Sequence, residues 1–81
     1  MRIDEKILIA QIKKSISENV ASEDREAFAE CIKYRLEDMI FLSDIDIEKK
    51  YGELLSYLMD MIEEADATEG VNLHLIAAAL P

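Results

Sequence analysis

Eighty-one residues, 51% hydrophobic and 33% charged with two Gly and one Pro, exclude a disordered segment and define one domain over 1–81. Folding at this size buries only about 60–65% of the unfolded chain's surface, so the core has to be dense. The formal net charge is −9, every Lys and Arg lies at or before Lys50, and six acids but no Lys or Arg follow from Tyr51 onward, which argues against direct binding of DNA or RNA.

The first helix is predicted from Arg2 or Asp4 to about Asn19. Leu8, Ile9, Ile12, Ile16 and Val20 recur at three- and four-residue steps on one face. Ile3, Ile7 and Ala10 project to nearly the opposite side, so the opening turns are apolar on two faces and should meet two neighbours or a partner. Ala21-Ser22-Glu23-Asp24 breaks the pattern and offers Ser22 as N-cap of a second helix running to about Ile40. Phe28, Ile32, Leu36, Met39 and Ile40 form its buried stripe, completed by Ala29, with Cys31 at the border as a small packed hydrophobe.

Ser43-Asp44-Ile45-Asp46 repeats the start signal, with Ser43 as N-cap and Asp46 three residues on. The third helix carries the strongest period in the chain: Ile47, Tyr51, Leu54, Leu58, Met61 and Ala65 in unbroken 4-3-4-3-4 spacing, widened by Leu55 and Ile62. Gly52, Ser56 and Asp60 line the opposite side, and a Gly within a helix implies either a bend or a close approach. Gly70 ends this helix, and Asn72 or Thr68 caps a last short one carrying Leu73, Ile76, Ala77 and Leu80. The expected fold is all-α: a small up-down antiparallel helical bundle with three main helices plus a short C-terminal helix.

Cys31 is the single cysteine, so no disulfide forms within the chain, and a reducing compartment is expected. Met1-Arg2-Ile3-Asp4-Glu5-Lys6 places acids where a signal peptide needs bases, and no run approaches the roughly 18 apolar residues of a membrane span. The expectation is a cytoplasmic protein without membrane contact. One His, one Cys and no glycine-rich loop leave no convergent catalytic, metal or cofactor site to assign, and His74 is read as a partly exposed helical residue.

Met61 to Asn72, an acidic helix end leading into Asp66 and a nearby Gly, is locally similar to the entry of an EF-hand calcium loop. With Asp66 as first position, Gly70 falls fifth rather than sixth and Ala77 stands where a bidentate Glu is required, so the segment reads as a helix end and turn. In size and charge the chain resembles acyl carrier proteins, which implies a prosthetic group on Ser43. The Asp-Ser-Leu context of that family is replaced by Leu42-Ser43-Asp44-Ile45, and capping accounts for the serine.

The second helix's outward side carries Tyr34 and Phe41, seven residues apart, among Glu30, Glu37 and Asp38. Aromatics among acids form the candidate partner-binding patch, because Tyr anchors interfaces and acids steer a basic partner toward it. The plainer reading lays Tyr34 flat on the surface and turns Phe41 inward. The expected function is a non-catalytic interaction module: a small acidic inhibitor or adaptor of a basic protein, including one that itself binds nucleic acid. The alternatives are a self-assembling homodimer, built on the two-faced start of the first helix or the heptad seam of the third, and an acyl-carrier-like scaffold.

Overall fold

The computed structural model describes residues 4–37 and 45–80, and among them every regular element is a helix. The protein is a small all-α bundle. Helix α1 (Glu5–Asn19) starts where the Asp4 carboxylate accepts from the Lys6 N–H at 2.9 Å, which satisfies one of the orphan amides of the first turn. Its face of Leu8, Ile12 and Ile16 is buried and continues into Val20, as the spacing predicts.

Helix α2 (Arg25–Leu36) begins differently from the sequence expectation. Asp24, not Ser22, holds the cap position, and its side chain makes no cap hydrogen bond. A tight turn closes instead, with the Asp24 N–H donating to the Ala21 carbonyl at 2.9 Å. The Asp24 carboxylate is committed elsewhere: it accepts from Lys50 Nζ at 3.0 Å and from the Tyr51 hydroxyl at 2.8 Å, and both donors lie on the third helix. Arg25 completes the junction by donating to the Ser17 and Val20 carbonyls, at 2.9 and 3.3 Å, so the acceptors left over at the end of α1 are met by the first residue of α2. The buried stripe is Phe28, Ala29, Ile32 and Leu36 as expected, and Cys31, at 3% exposure, belongs fully to the core. Met39, Ile40 and the expected cap Ser43 lie outside the described residues.

Helix α3 (Ile45–Glu69) is kinked, next to the glycine for which a bend is one of the expected readings. Tyr51 has φ −122° and ψ 22°, outside helical geometry. Two causes meet there. The Tyr51 hydroxyl is drawn to the α1–α2 turn, accepting from the Ala21 N–H at 3.1 Å while donating to Asp24, and its ring stands edge-on to Phe28 with centroids 5.7 Å apart. The next residue is Gly52, around which a Cβ would meet nothing of this chain within 4 Å, and the bend is beside it. Beyond the kink the buried line is Leu55, Leu58, Ile62 and Ala65, while Leu54 and Met61 flank it half-exposed.

Gly70, at φ 65°, reverses the chain after α3 and donates its N–H to the Asp66 carbonyl at 3.0 Å. This is the helix end and turn read from the sequence. Helix α4 (Leu73–Ala79) is capped by Asn72, whose side chain accepts from the His74 and Leu75 amides. The Asn72 N–H donates to Glu5 at 3.2 Å, which pins the start of α4 to the start of α1. With Ala21 held at Tyr51 and Asn72 held at Glu5, α1 and α3 run antiparallel. The core between the helices is apolar throughout the described residues, with Phe28, Ile12, Ile32, Leu58, Ile62 and Ile76 sealed from solvent.

Candidate functional site

Of the five residues the sequence marks as a partner patch, three fall within the described residues. Glu30 and Glu37 are exposed on α2, and Tyr34 is half-buried. Asp38 and Phe41 lie outside the described residues.

Among the described residues, the most exposed large apolar side chain stands on α3 instead. Tyr57 is 60% exposed, one residue before the sealed Leu58, so a rotation of about 100° carries the helix from core to solvent. Glu53 and Glu64 sit one turn before and two turns after it, Asp60 three residues on, and Glu63 beside them; all four are exposed. The sequence contained the signal. Tyr57 is out of phase with the 4-3 seam and has acids at i−4, i+3 and i+7, and it shares the i−4 and i+3 acids with Tyr34.

Two grooves flank this ridge. One, about 320 Å³, lies between α1 and α3 and is lined by Gln11, Lys14, Ser15, Glu18, Tyr57 and Met61. The other, about 380 Å³, lies toward α2, where Ser56, Met59, Asp60 and Glu63 line it and the Arg35–Glu48 ion pair stands at one end.

Several of the protein's few cations are already engaged. Arg25 serves the α1 carbonyls, Arg35 pairs with Glu48, and Lys50 pairs with Asp24 while sitting 5.4 Å from the Tyr51 ring centroid. Hydrogen bonds from Lys50 and Tyr51 hold the Asp24 carboxyl below its usual range, and the same contact with Asp24 raises Lys50. Lys14, 4.0 Å from Glu18, is the one base lining the α1–α3 groove.

Cys31 is sealed in the core and His74 is exposed on α4. Among the described residues no group of three or more His, Cys, Asp or Glu side chains is placed to hold a metal ion, and no helix is long and apolar enough to cross a membrane. Compared with protein-family models, curated proteins and solved structures, the chain has no match.

Proposed function

We propose that this chain is a non-catalytic protein-interaction module, a small acidic inhibitor or adaptor that meets a basic protein through the exposed face of α3. The observation that supports it is Tyr57, 60% exposed at the centre of Glu53, Asp60, Glu63 and Glu64, on a segment with no Lys or Arg after Lys50. An exposed Tyr supplies rigid amphipathic contact area, and uncompensated acids around it raise the encounter rate with a positively charged surface and compete there with phosphate.

The test begins by isolating a partner on the tagged chain with stepwise salt elution, then measures association rates across ionic strength. Reversing Glu53, Asp60 and Glu64 to Lys should slow association by about tenfold or more and flatten its salt dependence. An unchanged rate would remove the α3 face. Loss of binding on Tyr34→Ala, with Tyr57→Ala neutral, would move the interface to Glu30, Tyr34 and Glu37 on α2.

One observation favours the homodimer as a second reading. Ile7 and Leu75 are 56% and 53% exposed, and Ile7 lies on the second apolar side of the first helix. A mass that stays monomeric from micromolar to millimolar protein would end it. The carrier-like reading rests on Ser43, outside the described residues, and an unmodified intact mass from the native host would remove it.

A further inference from the structure

We propose that the cleft between α1, the start of α2 and the end of α4 binds a small amphiphilic monocarboxylate, its head group on Arg25 and Lys13 and its short apolar part against Ile16 and Ala79. This site is separate from the α3 face and does not depend on the docking role proposed there.

The cleft has a volume of about 240 Å³ and is lined by Lys13, Ile16, Ser17, Arg25 and Ala79. Two of these five residues are cations and none is an acid, in a chain of formal net charge −9. The grooves beside Tyr57 are lined by Glu18 on one side and by Glu48, Asp60 and Glu63 on the other, so both repel an anion that this cleft attracts.

Arg25 is held in place at the cleft. Its Nη2 donates to the Ser17 carbonyl at 2.9 Å and its Nε to the Val20 carbonyl at 3.3 Å. A guanidinium carries five N–H donors, so three remain for a ligand. Both acceptors are neutral. The ion pairs among the described residues, Lys14–Glu18, Arg35–Glu48 and Lys50–Asp24, include neither Arg25 nor Lys13, so two positive charges face the cleft without a carboxylate among those residues.

Size and charge select the ligand. A planar carboxylate matches the paired N–H groups of a guanidinium, and Lys13 adds a second charge within the same lining. Ile16, 2% exposed, gives the cleft an apolar floor, and the small side chain of the half-buried Ala79 leaves its wall open. The volume falls below the roughly 300 Å³ at which drug-sized pockets begin, which limits the apolar part to a short chain or a single ring. The negative field of the whole molecule opposes polyanions and so favours a single charge.

The test titrates the isotope-labelled full chain with hexanoate at constant ionic strength, beside acetate, which keeps the charge, and 1-hexanol, which keeps the chain. The expected result is saturable amide shifts at Lys13, Ser17, Arg25 and Ala79, with hexanoate binding about tenfold or more tighter than either control. Lys13→Gln should weaken binding about threefold or more, and Ala79→Leu, which fills the cleft, should abolish it with the helical signal unchanged. Both variants leave the Arg25 junction between α1 and α2 intact. Equal binding of hexanoate and 1-hexanol overturns the anion site, and equal binding of hexanoate and acetate shows an adventitious ion only. No saturation by about 20 mM hexanoate, or shifts that persist in Ala79→Leu, removes the cleft as a site. An acetylated tripeptide ending in a free Leu carboxylate should bind more weakly, because its backbone exceeds the cleft. Tighter binding of the tripeptide overturns the small-ligand reading and assigns the cleft to a protein C-terminus.

Discussion

Asp24 shows how one side chain can serve the assembly instead of its own helix. An Asp at a helix N-terminus ordinarily accepts from the amides of the first turn. Here the carboxylate accepts from Lys50 and Tyr51, and so ties the start of α2 to α3 across 26 and 27 residues of chain. The Asp24 carboxyl is held below its ordinary value in the folded protein, so the folded state binds fewer protons than the unfolded one. Its contribution is therefore fully present above the ordinary Asp range, near pH 4, and is lost as pH falls through the depressed value. Asp24→Asn should lower the thermal midpoint at pH 7, and the gap to the unmodified protein should close as the pH drops below about 4. A gap that stays constant down to pH 2 would show that the charge of Asp24 contributes nothing. The three tyrosines divide in the same way by surroundings: Tyr51 is tied to the α1–α2 turn, Tyr34 is half-buried on α2, and Tyr57 is open to solvent.

At the scale of the element, α3 decides the geometry. A heptad pattern records which residues recur on one face, and it carries no information about a hydroxyl pulled sideways by another helix. The bend at Tyr51 comes from that pull, with Gly52 beside it. Because a Cβ at Gly52 meets nothing within 4 Å and its φ is not positive, Gly52→Ala should stabilise the fold by about 0.5–1 kcal/mol through reduced freedom of the unfolded chain. Urea unfolding measures this. A lower midpoint would mean that the bend depends on glycine itself. Gly70 is the contrasting case, since its φ of 65° is the left-handed geometry that glycine adopts without strain.

For the whole molecule, adjacent residues of α3 should respond in opposite ways. Leu58 is sealed among the helices, and Leu58→Ala should cost about 2–5 kcal/mol of stability. Tyr57→Ala should change stability by no more than about 0.5 kcal/mol while weakening partner binding. Chemical denaturation of the two variants checks both values, and a comparable loss in each would place Tyr57 in the core. The apolar side of α3 holds the bundle, and its acidic side is exposed to solvent, where the proposed interface lies.

The sequence by itself determined the four helices, the buried stripe of α1, the described part of the α2 stripe and the turn at Gly70, and it narrowed the α4 cap to Asn72 or Thr68, because each is set by spacing or by residues close in the chain. Net charge and the concentration of uncompensated acids after Lys50 were equally legible. The patch was harder to place: Tyr34 and Tyr57 carry similar acidic surroundings in sequence, and only the way α2 and α3 pack leaves one half-buried and the other exposed. Tertiary structure alone decided that the Asp24 carboxylate would serve α3 and not its own helix, that Tyr51 would be the residue to leave helical geometry beside Gly52, and that α1 and α3 would frame a groove beside Tyr57. Each of these depends on groups more than 25 residues apart, and no local period or propensity encodes where such groups meet.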